Sequence, residues 1–195
     1  MYNIKKENRK ESIISAAKKL FSRFGLEKTT MEDIAKATKK AKSSLYYYFK
    51  GKEEVFAAVI TEEMAALKIL LMESVKNEES SHTKLKKFVS IRMKYLKQKA
   101  DQYTSIRDEY LKHYEFIEKL REEYSNWEIS TIKSILKYGV EKGELELANL
   151  DLISKSIFFA IKGLEYPWIV NLNQKEIEES VNNLFNVLFE GLNKR

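Results

Sequence analysis

An all-α fold is the expectation for this sequence, and three observations lead to it. The chain of 195 residues holds one proline and six glycines, too few turn formers for a strand-rich fold that reverses every 8–12 residues or about that. Apolar residues recur at spacings of three and four through most of its length and do not alternate, which is the period of a helix and not of a strand. Hydrophobic residues make up 44% and charged residues 33%, a balance that suits a globular chain with a buried core.

Each helix has its own signature. The first is expected over about residues 8–24, where Ile13, Ile14, Ala17, Leu20, Phe21 and Phe24 form one stripe and Gly25 stands at a left-handed C-cap. Thr29-Thr30-Met31-Glu32-Asp33 reads as the capped start of a short second helix, a threonine with an acidic residue three positions on. That helix runs to about Thr38 and buries Met31, Ile34 and Ala35. After the turn Lys39-Lys40-Ala41, a third helix over about Lys42–Phe49 buries Leu45 and Phe49 and shows Lys42, Ser43, Tyr46 and Tyr47 on its other side. Gly51 closes it, and Lys52 opens a fourth helix over about 52–76, striped by Val55, Phe56, Val59, Ile60, Met64, Leu67 and Leu71. Residues 77–81 are polar and aperiodic, a loop.

Further amphipathic segments are expected over about 82–99, 102–112 and 115–141, the last ended by Gly143. Residues 150–172 are apolar nearly all round and therefore buried between helices, with Pro167 expected to kink that helix or end its regular ladder. A final helix over about 174–192 carries Ile177, Val181, Leu184, Phe185, Leu188 and Leu192 on one stripe. This makes about nine helices.

Charge is segregated along the chain. The first 56 residues carry 14 basic and 7 acidic side chains, whereas the remainder carries 21 basic and 22 acidic ones, so the net +6 of the whole originates in the first quarter. A solvated lysine-rich surface is one reading of this pattern. A phosphate-binding face is the other, since segregation of this kind is what a nucleic-acid footprint requires.

Several chemistries lack their residues. There is no cysteine, which removes disulfides, thiolate metal sites and cysteine nucleophiles and suits a reducing cytoplasm, the expected location. The first residues are charged and lack the apolar core of a signal peptide. The longest apolar stretch, near Ile157–Val170, is broken by Lys162 and Glu165, so no membrane span is expected. His82 and His113 stand far apart with no ligand or nucleophile at helical spacing, so neither a metal site nor a catalytic residue is expected. No glycine-rich phosphate loop occurs, and no cofactor is expected.

Residues 31–49 fit two short helices joined by a tight turn, one bracing the other for insertion into the major groove of DNA. Thr29 and Thr30 precede the first helix, where hydroxyls and free amides can meet a phosphate. Lys52 begins the next helix close by. Tyr46, Tyr47 and Tyr48 cluster on a helix too narrow to bury all three.

The runs Thr29-Thr30-Met31-Glu32-Asp33-Ile34-Ala35 and Ser44-Leu45-Tyr46-Tyr47-Tyr48-Phe49-Lys50-Gly51-Lys52-Glu53-Glu54-Val55 resemble the N-terminal signature of the TetR family of bacterial repressors, over about residues 8–56. The resemblance implies a three-helix DNA-binding domain over 1–51 and a helical ligand-binding and dimerisation domain over 52–195, with the fourth helix connecting them. It implies DNA contacts at Thr30, Lys42, Ser43, Ser44, Tyr46, Tyr47 and Lys52, to which Thr29 and Tyr48 are added by position. Lys42, Ser43 and Tyr47 are expected at bases or adjacent backbone, and Thr30, Tyr46 and Lys52 at phosphates. The chain departs from the family in the turn, where Lys39-Lys40-Ala41 replaces the usual Gly-Val-Ser. That substitution puts a lysine where glycine is favoured, removes a side-chain cap, and offers two more cations to phosphates.

The aromatic side chains after residue 88 read individually as helical core and collectively as the wall of an apolar cavity. Candidates for lining it are Met64, Leu67, Phe88, Tyr95, Tyr103, Tyr110, Trp127, Phe158 and Phe159, with a largely apolar small molecule as effector. Glu165 with Lys162 reads either as an i,i+3 surface pair or as a polar contact across a dimer interface. The dimer interface is expected at Ile157, Ile161, Glu165, Trp168, Val181, Leu184, Phe185 and Leu188, because two half-sites of a near-palindromic operator need a two-fold protein. The leading expectation is thus a ligand-responsive, homodimeric repressor. A helical adaptor that does not bind DNA and a helical enzyme are the alternatives.

Overall fold

The computed structural model describes residues 2–102 and 114–192. The helix expected over 102–112, with Tyr103 and Tyr110 of the proposed pocket, lies outside the described residues apart from its first position. Nine helices occur among them and no strand: α1 (Tyr2–Lys28), α2 (Met31–Thr38), α3 (Lys42–Tyr46), α4 (Lys52–Val75), α5 (Ser81–Gln102), α6 (Tyr114–Leu120), α7 (Glu122–Glu141), α8 (Leu150–Asn171) and α9 (Gln174–Leu192).

Helix α1 starts at Tyr2, well before the expected residue 8, because its first turns contain good helix formers and no breaker. It is interrupted at Gly25, whose φ of 83° and ψ of 171° are open only to glycine at little cost. The chain kinks there, so Leu26 enters the core and Phe24 is left exposed beside the Arg23 guanidinium, 5.0 Å from its ring centre. The expectation that Phe24 continues the buried stripe is corrected by that break.

Packing divides the described residues into two compact units. One holds residues up to Ala65 and those from Ala100 to Arg121; the other holds Ala66–Lys99 and residues from Glu122 onward. The division expected at 51/52 follows the signature, whereas packing adds the start of α4 to the first unit. The reason is visible in its core, where Val55, Phe56 and Val59 join Ile13, Ala17 and Phe21 of α1, Ile34 of α2 and Leu45 and Phe49 around α3. Phe21 meets the edge of Phe56 at 5.3 Å. Each such fully buried side chain contributes about 1.5–3 kcal/mol, which offsets the weak intrinsic stability of helices as short as α2 and α3.

The second unit builds its core from Leu67 and Leu71 of α4, Phe88 and Met93 of α5, Ile132 and Leu136 of α7, and Phe158 of α8, with Ile177, Val181 and Phe185 of α9 also buried. The segment expected as one helix over 115–141 is two, interrupted at Arg121, whose N–H is shared between the carbonyls of Ile117 (3.0 Å) and Glu118 (3.1 Å). Helix α7 ends as expected at Gly143, φ 73°, with Glu144 N–H reaching the Gly139 carbonyl (2.8 Å) and Gly143 N–H that of Val140 (3.0 Å), a Schellman turn. Pro167 does not end α8, which continues to Asn171. One N–H is lost at Pro167, and Gly163, whose carbonyl would have received it, lies on the exposed side of the helix.

A charged cluster sits inside this unit. Arg92 is 1% exposed; its Nε donates to Glu128 Oε1 at 2.5 Å and its terminal nitrogen to Glu165 Oε2 at 2.7 Å. Burial opposes the charge on Arg92, but Glu128 and Glu165 outweigh it and hold the guanidinium protonated. Nothing in the sequence reading singled out Arg92 or Glu128. The available signal was their position on otherwise apolar helix faces, beside Phe88 and Met93 and four residues before Ile132.

Candidate nucleic-acid interface

The two-helix bracket begins with a complete capping box. Thr30 has extended backbone, its Oγ1 accepts from Asp33 N–H (3.2 Å), and its own N–H donates to Asp33 Oδ2 (3.0 Å). The Thr30 hydroxyl also donates to Asp33 Oδ2 at 2.6 Å, and this bond first, with that from the Thr30 N–H, holds the Asp33 carboxyl below its ordinary value. Thr30 is exposed at the surface, its hydroxyl held within the capping box. Thr29 is not: it is 1% exposed and its Oγ1 donates to the Gly25 carbonyl at 2.6 Å. The expectation that Thr29 touches DNA is corrected, because its hydroxyl is consumed in stitching the break in α1.

Helix α2 ends in a second Schellman turn. Lys40 N–H reaches the Ala35 carbonyl (3.0 Å) and Lys39 N–H that of Lys36 (3.1 Å), with Lys39 left-handed at φ 53°, ψ 39°. A non-glycine residue there costs about 1–2 kcal/mol. Ala41 then caps α3 with backbone alone and makes no side-chain hydrogen bond. Regular helix in α3 stops at Tyr46, shorter than the expected Lys42–Phe49, because Tyr48 N–H turns back to the Leu45 carbonyl at 2.9 Å. Leu45 and Phe49 are buried as the spacing required.

Facing outward from α3 are Lys42, Ser43, Ser44, Tyr46 and Tyr47, all exposed, with Tyr46 at 47% and Tyr47 at 63%. Tyr48 is different. It is half-buried, packs on the core of the first unit, and receives the edge of the Tyr47 ring at 5.0 Å. It supports the displayed face and does not belong to it, which corrects its placement among DNA contacts. Lys52 is also committed inward, its ammonium donating to the carbonyls of Leu26 (2.9 Å) and Glu27 (3.0 Å) at the end of α1. Lys52 thus caps the C-terminal end of α1 with two of its three N–H donors. Among the surrounding acids, Glu32 pairs with Lys36 at 3.0 Å, and the hydrogen bond and charge of Lys36, with Lys42 beyond, hold its carboxyl low.

The residues expected elsewhere divide as follows. Of the pocket candidates, Leu67 and Phe88 are fully buried and Phe158 nearly so, whereas Met64, Tyr95 and Trp127 are half-buried. Trp127 lies 6.2 Å from Phe88 and 5.5 Å from Tyr124, under the Lys68 ammonium. Phe159 is 63% exposed on α8 and is corrected from any interior lining. Of the dimer candidates, Ile157, Ile161, Glu165, Val181 and Phe185 are buried inside their own chain, and Glu165 is held by Arg92. These five are corrected, since a helix face already spent on its own core cannot meet a partner. Trp168, Leu184 and Leu188 are half-buried. The large apolar side chains that α8 and α9 leave exposed are Leu152, Phe159, Tyr166 and Val187. The stripe on each helix was legible, but which side of a nearly all-apolar helix faces inward was not.

No helix among the described residues is long and apolar enough to cross a membrane, and no group of three metal-ligating side chains occurs among them.

Comparison with known proteins agrees with this geometry. Residues 13–59, which contain the capped α2, the turn and α3, match the family of bacterial regulatory proteins named for tetR. The chain is 26% identical over 196 residues to the HTH-type transcriptional regulator QacR of Staphylococcus aureus, covering 96% of this chain and all of that one. It is 23% identical over 187 residues to the fatty acid metabolism regulator protein of Bacillus subtilis, covering 94% and 95%. Its fold superposes on the crystal structure of a transcriptional regulator from Cytophaga hutchinsonii with a TM-score of 0.78 at 24% identity, covering 94% and 98%. Residues 13–59 thus match the tetR family of bacterial regulatory proteins, and the chain is similar over nearly its whole length to a helix-turn-helix transcriptional regulator.

Proposed function

We propose that this regulator is a homodimeric repressor that reads a near-palindromic operator with α3 and releases it when a largely apolar small molecule binds the second unit. The observation that carries the reading is the outward face of α3, where Lys42, Ser43, Tyr46 and Tyr47 are exposed while Leu45 anchors the helix from beneath. Lys42, Ser43 and Tyr47 meet bases or the adjacent backbone, and Thr30, Ser44 and Tyr46 meet phosphates. In a two-fold pair the two copies of α3 stand about 34 Å apart, one turn of the duplex. The exposed Leu152, Phe159, Tyr166 and Val187 of α8 and α9 are the side chains a second copy covers. The aromatic interior around Phe88, Tyr124 and Trp127 favours an apolar effector.

Helix α4 contributes residues to both compact units, which makes it the natural carrier of linkage. An effector that binds best to a conformation with mismatched half-site spacing lowers operator affinity by the same factor that the operator lowers its own. Selection of bound fragments from a genomic library, at two salt concentrations, tests the proposal. Enrichment of one near-palindromic sequence is expected; enrichment of none contradicts it.

A further inference from the structure

Two helices of this chain end in the same hydrogen-bonding pattern, and they differ in the residue at its left-handed position. Gly143 occupies it after α7, φ 73°, and Lys39 occupies it after α2, φ 53°. Lys39 is the only non-glycine residue with positive φ among the described residues. A side chain there strains the backbone, and strain of this kind is a pointer to function when other observations agree.

They do agree here. Lys36, three residues before, has its ammonium on Glu32, whereas no ion pair or hydrogen bond engages the side chain of Lys39 or Lys40 among the described residues. Lys39 is exposed and Lys40 half-exposed. The turn they form immediately precedes Lys42 and Ser43 at the start of α3, the end of a recognition helix that enters the groove first. A duplex that accepts this end carries its phosphate backbone along the groove edge past the turn.

We propose that Lys39 and Lys40 are a phosphate clamp: two added contacts to the operator backbone that hold the first turn of α3 in register. The inference rests on the proposed DNA-binding role of α3. Uncompensated ammonium groups beside a polyanion release condensed counterions, so each contact steepens the dependence of affinity on salt by about 0.9 in log–log slope.

The test uses the full-length protein and a duplex that the wild-type chain selects from a random library, with affinity measured across a salt series. Lys39→Gln keeps a strained, uncharged side chain; Lys39→Gly removes both charge and strain; Lys39→Arg keeps the charge; Lys40→Gln removes the second cation. Lys39→Gln and Lys39→Gly are expected to lose the same slope, about 0.9 for each bound chain, and Lys39→Arg to keep it. Lys40→Gln is expected to lose a similar amount. Lys39→Gly alone is expected to raise the melting temperature, by about 2 °C. A slope unchanged in Lys39→Gln, Lys39→Gly and Lys40→Gln, with operator still bound, overturns the clamp and leaves the DNA-binding role of α3 standing. A slope lost in Lys39→Gly and kept in Lys39→Gln also overturns it, because turn shape and not charge then decides binding. A wild-type chain that selects no duplex overturns the DNA-binding role itself.

Discussion

Lys39, Lys40 and Lys42 sit on a turn and a short helix at the surface of the first unit, and neither Lys39 nor Lys40 has an acidic neighbour in hydrogen-bond contact among the described residues. Arg92 in the second unit is buried and bonded to both Glu128 and Glu165. Both regions hold more than one charge, but they spend it differently. The first keeps cations hydrated and available to a partner of opposite sign, which is why the basic surplus of the first 56 residues reads as an interaction surface. The second closes its charges on one another, where each is desolvated and depends on the others. Charge in a sequence therefore says little until its burial is known.

The largest test of this contrast is Arg92→Ala. It leaves two buried carboxylates facing each other, and the second unit is expected to lose about 3–5 kcal/mol in urea unfolding. An exposed cation of the first unit, such as Lys42, is expected to change stability by no more than about 0.5 kcal/mol on replacement by alanine. Equal losses in the two experiments would erase the distinction.

Thr29→Val is next in size. It leaves the buried Gly25 carbonyl without its 2.6 Å donor, and an expected loss of about 1–2 kcal/mol with an unchanged salt slope in operator binding separates a structural hydroxyl from a phosphate contact. A slope that falls with Thr29→Val would restore Thr29 to the interface.

The smallest effect is a pH dependence. Burial, with Lys86 nearby, depresses the pKa of His82, whose ring packs edge-to-face on Phe189 with the ring centres 4.1 Å apart. The unfolded chain then binds a proton that the folded one resists. His82 stabilises the fold fully above its unfolded value of about 6.5, and that contribution is lost as pH falls below it toward the depressed folded value. His82→Phe is expected to flatten the stability of the second unit between about pH 7 and 5; a profile as steep as wild type would assign the dependence elsewhere.

Most of the fold was legible in the sequence, because stripes such as Ile13–Phe21 and Val55–Leu71 have a single helical solution. A helix end was legible where glycine marked it, at Gly143; Gly25 marked a break in α1, which continues beyond it to Lys28. The Lys39 turn was legible only through its departure from the family pattern. The exposure of Lys42, Ser43, Ser44, Tyr46 and Tyr47 was legible. Thr29 and Tyr48 belong by type to a DNA surface but are drawn inward, Thr29 by the Gly25 carbonyl four residues before it and Tyr48 by the core, and Lys52 turns two of its donors inward. The carbonyls that Lys52 meets lie more than twenty residues before it. The inward face of α8 was not legible, since a helix apolar nearly all round gives its sequence no inside; the stripe of α9 was legible, but not that it packs within its own chain. Ile157, Val181 and Phe185 went to the chain's own core, and Leu152, Phe159 and Val187 to the surface.

The central claim is that the exposed side of α3 reads DNA while its other side holds the first unit together. Tyr47→Ala tests it most directly, with operator affinity and unfolding free energy measured on the same sample. Specific affinity is expected to fall by roughly tenfold or more per bound chain, about 1–3 kcal/mol for a lost base contact, with stability within about 0.5 kcal/mol of wild type. Full operator affinity in a stably folded Tyr47→Ala variant, or an unfolded first unit, would contradict the account.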